Sequence, residues 1–206
     1  QTESHRSIQR TAEPRIQRKA DTLHIIKSLR RRADVRYAQP NYIRKALAIP
    51  DDPQYPRQWH YPLINLPQSW DVTTGSNTVI VAVIDSGVLL NHPDLENRLT
   101  SDGYDFISDP ARAQDGDGID PDPDDPGDGS PGRSSFHGTH VSGTIAAETN
   151  NIIGVAGVTW STRIMPLRAI GQGGGTDFDI LQAVRYAAGF DNDSGTLPAQ
   201  KADIIN

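Results

Sequence analysis

The stretch VIVAVIDSGV, Val79 to Val88, decides the fold. It opens on six apolar residues, nearly all β-branched. That composition suits a strand of a parallel sheet covered on both faces, and a strand is expected from Thr78 to Ile84. The run ends on an acid, Asp85, followed by Ser86 and Gly87. The carboxylate therefore falls at a sharp turn at the end of a core strand. Backbone N–H groups of the turn and the Ser86 hydroxyl can hold it ionised there. Taken alone, an Asp in this position reads as a turn or capping residue.

Downstream lies SSFHGTHVSGTIAA, Ser134 to Ala147. A helix is expected from His137 to Glu148. His137 opens it, and His140 follows three residues on, on the same side. The two could bind a metal, cap the helix, or supply a general base. Zinc-hydrolase helices carry His at i and i+4 with a Glu between, and neither feature is present. His137 is preferred as the base because it opens the helix and faces the strand ends; His140 reads as a satisfied structural histidine. Gly138 lets the backbone come close, and Gly143, Ala146 and Ala147 let the helix pack tightly on a sheet. An acid ending a strand and an imidazole opening a helix can form the base half of a nucleophilic triad. The carboxylate accepts a hydrogen bond from the ring, fixes its tautomer and stabilises the imidazolium.

The surrounding sequence alternates strands and helices. Arg163 to Ile170 reads as a second strand and Thr176 to Ala188 as a helix with a capping pair, Thr176 and Asp179. KADIIN begins a third strand. Such alternation implies an α/β protein with a mostly parallel sheet and right-handed crossovers, whose functional sites lie at the carboxyl ends of the strands. Before this core, Asp21 to Arg32 has helical periodicity through Leu23, Ile26 and Leu29, with Asp21 as N-cap. Val35 and Tyr37 then alternate like a short strand closed by Pro40. Ala48 to Pro62 is proline-rich and reads as an extended linker, Leu66 to Ser76 as a short helix, and Asp102 to Arg133 as a long Asp-, Gly- and Pro-rich loop.

The chain has 206 residues and no cysteine, which removes disulfides, a thiol nucleophile and thiolate metal sites. Nothing approaches the roughly 20 consecutive apolar residues of a membrane span, so no membrane partner is expected. Residues 1–49 hold 12 basic and 4 acidic side chains, a charge of +8; residues 50–206 hold 8 and 22, a charge of −14. No aromatic residue interleaves with the basic ones before Tyr37. A nucleic-acid-binding arm is therefore disfavoured, and docking of the basic head on the acidic body is the preferred reading. The first residue is Gln and the sole methionine is Met165, so the chain is expected to be part of a longer translation product.

The segments VIDSGV, HGTHVSGTIAA, GVAGV, RIMPLRAI and ADIIN together resemble the subtilisin-like serine proteases, the subtilases, colinearly from about Gln58 to Asn206. The resemblance implies a subtilisin-like three-layer fold and a secreted endopeptidase that cuts extended polypeptides through an Asp-His-Ser triad. Asp85 would be the acid and His137 the base, with the serine beyond Asn206, leaving the 206 residues inactive on their own. DVRYAQPNYIRKA, Asp34 to Ala46, resembles the last strand and exit of a subtilase propeptide. Residues 1–47 would then be part of a propeptide that chaperones and inhibits, residues 48–206 the N-terminal part of the catalytic domain, and self-cleavage would fall near Arg44 to Ile49. A catalytically dead subtilase-like module that only binds peptides is the alternative, and a calcium-dependent adhesion domain a third.

The sequence GQGGGTDF, Gly171 to Phe178, lacks the spacing and the lysine of a phosphate loop. In subtilases the matching glycines, Gly173, Gly174 and Gly175, form an edge strand that pairs with the substrate backbone. HPDL and TNNIIGV match the region of a common subtilase calcium site. There Asp94 and Asn151 would give side chains, and Ile153 and Val155 carbonyls, to a structural Ca²⁺. The loop DGDGIDPDPDDPGDG, Asp115 to Gly129, has the hard oxygen donors calcium favours but not the EF-hand spacing, and reads equally as a solvated acidic loop.

Overall fold

The computed structural model describes residues 17–40, 48–129 and 133–206. Residues 41–47, the end of the expected propeptide segment together with the start of the expected cleavage region, lie outside the described residues. The chain divides into two compact units, Gln1–Ala46 and Leu47–Asn206.

In the first unit, residues 17–29 form a helix, α1, on which Ile26 is buried while Leu23 and Ile25 stay exposed. The strand expected over 34–40 is absent: the chain turns and runs on without a partner among the described residues. Two side-chain bonds shape it instead, Arg30 Nε to the Ala38 carbonyl at 2.7 Å and Arg32 to Asp34. Alternation of two side chains cannot make a strand where no neighbouring strand satisfies its backbone.

Among its described residues the second unit is built on a four-stranded sheet in the order β2-β3-β1-β4, every pair parallel. The strands are β1 (Ile80–Asp85), β2 (Tyr104–Asp105), β3 (Arg163–Arg168) and β4 (Ile204–Ile205). The helices are α2 (His60–Leu63), α3 (Leu66–Trp70), α4 (Pro110–Ala113), α5 (His137–Ala146) and α6 (Asp177–Ala187). β1 and β3 pair from Ile80 opposite Arg163 to Asp85 opposite Arg168. Both faces of the sheet are covered, as the apolar run of β1 requires. Ile80, Ala82, Met165 and Leu167 pack with Phe106 and with Ala183, Tyr186 and Ala187 of α6. Val81, Val83 and Ile164 point the other way, onto Ala146 of α5. α6 begins as expected: the Thr176 hydroxyl accepts the Asp179 N–H at 3.0 Å.

The segment from Ala48 to Pro62 is not an extended linker. It contains a 3₁₀ turn at Tyr55–Arg57 and the start of α2. Tyr61 is fully buried, and Tyr55, Tyr61, Trp70 and Trp160 form an aromatic cluster in which Tyr61 meets Trp70 edge-on and the Tyr55–Trp70 and Trp70–Trp160 pairs are tilted. The Gln58 side chain pairs with both backbone groups of Ala156, at 2.8 and 2.9 Å. Its prolines shape short turns, and its aromatics bring the apolar area that pins it. The long loop from Asp102 likewise holds β2 and α4. Among the described residues no helix is long and apolar enough to cross a membrane.

Candidate active site

Asp85 is the last residue of β1 and His137 the first of α5, so the two side chains arrive at the carboxyl edge of the sheet from adjacent layers. His137 Nδ1 lies 2.8 Å from Asp85 Oδ1 and 2.9 Å from Oδ2. A carboxylate only accepts, so Nδ1 carries a proton, and in the neutral ring Nε2 is the lone-pair nitrogen. The Asp85 side chain is 10% exposed and that of His137 65%. The acid is thus sheltered while the far side of the ring faces solvent. Among the described residues Nε2 has no hydrogen-bond partner. Such an imidazole can take a proton from a hydroxyl placed at Nε2 while Asp85 steadies the resulting cation.

Backbone packing creates this contact. Asp85 Oδ1 also accepts the Ser86 N–H at 2.7 Å, which fixes the carboxylate. Gly87 has φ +93°, a turn that L side chains resist. A Cβ on Gly138 would lie 2.2 Å from the Gly87 carbonyl oxygen and 3.1 Å from Asp85 Cβ. The helix start is therefore pressed directly onto the strand-end turn. His140, expected to be a satisfied structural histidine, is exposed and has no side-chain hydrogen bond among the described residues. It faces a 590 Å³ cavity shared with His60 and His92, away from Asp85.

One group beneath the site gave no sequence signal. Arg168, opposite Asp85 on β3, is fully buried and pairs with Asp105 and Asp115 and with the Ala113 carbonyl. Burial pushes the Asp105 carboxyl up to about 7, against the pull of the Ile107 N–H and the Arg168 guanidinium. Carboxylate oxygens of Asp105, Asp115 and Asp120 lie within 4.8 Å of one another and could hold a metal ion. Hard oxygens suit calcium, although Arg168 already neutralises part of this charge.

The four expected calcium ligands do come together. Asp94, 2% exposed, accepts the Asn151 side-chain amide and the Val155 N–H, both at 2.9 Å. Asn151 Oδ1 is turned to the Ile153 N–H instead. Among the described residues the carbonyls of Ile153 and Val155 accept no hydrogen bond. Asp52, absent from the expected set, is buried beside them and accepts the N–H groups of Asn150 and Asn151. Burial raises the Asp94 pKa above its ordinary value, and the nearby Asp52 adds to this. The oxygen chemistry of two neighbouring buried carboxylates, with no cationic side chain paired to them among the described residues, is of the kind Ca²⁺ favours.

The expected edge strand at Gly173 to Gly175 is absent. Gly171 and Gly174 pair with each other in a tight turn, with φ +79° at Gly173 and +103° at Gly174. Arg112 donates to the Gly174 carbonyl and holds the turn closed. Three consecutive glycines favour positive φ, and that local preference wins over extension.

Fold and geometry together define an α/β protein with an acid–imidazole pair at its strand ends. Residues 76–206 match the subtilase family, and the chain belongs to that family. It is 37% identical over 202 residues to an extracellular protease of Xanthomonas campestris, covering 91% of this chain and 34% of that relative. It is 38% identical over 184 residues to a thermophilic serine proteinase of a Bacillus species, covering 88% and 39% respectively. Among solved structures, a protease of Pseudoalteromonas arctica superimposes with a TM-score of 0.72 at 42% identity, over 77% of this chain and 50% of that one. The chain spans about a third of the length of the curated relatives it matches.

Proposed function

We propose that these residues are the N-terminal part of a secreted serine endopeptidase zymogen, with Asp85 as the acid and His137 as the general base of its triad. The observation that carries this is the 2.8 Å contact from Asp85 Oδ1 to His137 Nδ1, with Nε2 open to solvent. Nε2 takes the proton of a serine hydroxyl as that oxygen attacks the scissile carbonyl. The imidazolium, held by Asp85, then returns the proton to the leaving amine as the acyl-enzyme forms, and water reverses the sequence. The serine is proposed to follow Asn206. Loss of the serine from such a triad costs about a millionfold in rate, so the 206 residues alone should not hydrolyse peptides.

Residues 1–47 are proposed to be part of the propeptide. The compact-unit division at Ala46 and the +8 against −14 charge asymmetry support this, since opposite charge aids docking. The substrate is proposed to be extended polypeptide, pairing with the backbone of Gly173 and Gly175 on either side of Gly174, whose own N–H and carbonyl close the turn. Gly173 and Gly175 make no backbone hydrogen bonds among the described residues, which leaves their groups available. Calcium is proposed as a structural ion held by Asp94, Asn151, Ile153 and Val155, with Asp52 beside them. It would tie the 149–155 loop to the body and supply no chemistry.

The test is casein hydrolysis by the full-length protein, with and without a covalent serine-directed inhibitor. Hydrolysis abolished by the inhibitor supports the proposal. A folded full-length protein that neither cuts casein nor takes up the inhibitor overturns it in favour of a peptide-binding module.

A further inference from the structure

The first turn of α5 needs acceptors that its own N-cap does not provide. Phe136, the N-cap, has φ 53° and ψ 30° and makes no side-chain cap bond. Three hydroxyls take its place. Ser134 Oγ accepts the Phe136 N–H at 2.9 Å, Ser135 Oγ the His137 N–H at 3.2 Å, and Ser86 Oγ the Gly138 N–H at 3.1 Å. A hydroxyl that accepts must still place its own proton, and each of these places it on a carboxylate. Ser134 and Ser86 both donate to the same oxygen, Asp125 Oδ2, at 2.7 and 3.3 Å. Ser135 donates to Asp128, which also accepts the Ser135 N–H at 2.7 Å.

Asp125 is the member of this set that spans the site. It is 5% exposed, forms no ion pair among the described residues, and is held in place by the Gly127 N–H at 3.0 Å. One of its oxygens ties the residue after Asp85 to the segment just before His137. The carboxylate fixes which way both hydroxyls point, so their lone pairs face the helix N–H groups. In its ionised form it also lies toward the positive end of α5. It stands apart from Asp105, Asp115 and Asp120, the three carboxylates of this loop that could share a metal.

We propose that Asp125 is a positioning residue that, through Ser86 and Ser134, locks the Asp85 turn to the start of α5 and so keeps His137 on Asp85. This rests on the reading of Asp85 and His137 given above. It assigns part of the acidic loop to holding the site together.

The test uses the 206-residue chain. Proton NMR of the parent should show the far-downfield resonance of an imidazole Nδ1–H bound to a carboxylate, assigned by its loss in His137→Ala. In Asp125→Ala, and to a smaller degree in Ser134→Ala, that resonance should broaden or move upfield while the circular dichroism of the fold is retained. In the full-length protein, kcat should fall about tenfold, as sub-ångström misplacement of a reacting group implies, with KM unchanged. A merely structural residue would lower the unfolding midpoint and leave the imidazole resonance where it was. An unmoved resonance in folded Asp125→Ala overturns the inference. Should that variant not fold, the Ser134→Ala spectrum decides on the same criterion. A parent chain with no such resonance would instead sink the Asp85–His137 reading itself.

Discussion

Replacing Gly138 by alanine tests how tightly the helix start is held against the strand end. The new Cβ would sit 2.2 Å from the Gly87 carbonyl oxygen. Ordinary contact needs separation to grow by about 1 Å. The turn cannot yield: Gly87 itself has two backbone carbonyls 2.8 Å from where its own Cβ would be, and the Val88 N–H is held by Pro123 O at 3.0 Å. α5 must therefore move, and His137 moves with it. The 2.8 Å bond to Asp85 and the 3.1 Å bond from Gly138 N to Ser86 would both stretch past bonding range. The overpacking costs about 1–3 kcal/mol, to be read as a lowered urea midpoint of the 206-residue chain at unchanged m-value. In the full-length protein the displacement should lower kcat about 10²-fold. An alanine variant with the parent's urea midpoint and the parent's hydrolysis rate would refute the close approach from which both effects follow.

Arg168→Met removes the cation buried between Asp105 and Asp115 and should destabilise by about 3–5 kcal/mol in urea unfolding. Because burial pushes the Asp105 carboxyl up to about 7, its neutral form favours the folded state. The defect should therefore shrink as pH falls from 7 toward 5, and a defect that grows on acidification would contradict this. Tyr61, fully buried with its hydroxyl donating to Ala156 O at 2.7 Å, has its pKa pushed up to about 12 by burial. The unfolded chain ionises first, so roughly 3 kcal/mol of stability is present below pH about 10 and lost as pH rises toward about 12. Tyr61→Phe should flatten that alkaline loss, measured by unfolding midpoints across the range. Calcium should raise the thermal unfolding midpoint of the chain by mass action and chelator should reverse it. Asp94→Ala should abolish the response, and a full calcium response in that variant would remove Asp94 from the ion.

What was legible in the sequence was local. Thr78 to Ile84 announces a doubly covered strand by composition, His137 to Glu148 a helix by its small residues, and Thr176 with Asp179 a cap by spacing. Asp85 and His137 stood out because each sits where an element begins or ends. What was missed depends on partners far along the chain. The proline-rich segment at Ala48 to Pro62 reads locally as a linker because Gln58 and Tyr61 find their partner, Ala156, more than ninety residues away. Arg168 reads as one more strand residue until Asp105 and Asp115 close over it. Asp125 is one of many acids in its loop, and only the fold shows that it reaches both Ser86 and Ser134. The short strand expected at Val35 and Tyr37 failed for the converse reason: a local pattern was present and the neighbour to pair with was not.

Asp85→Asn in the full-length protein tests the pairing of carboxylate and ring most directly. The amide nearly preserves shape but presents an N–H where an acceptor is needed, so the imidazole turns to the wrong tautomer. Turnover of a peptide substrate should fall about 10⁴-fold while the protein stays folded. Turnover equal to that of the parent would show that the acid at the end of β1 has no part in the chemistry.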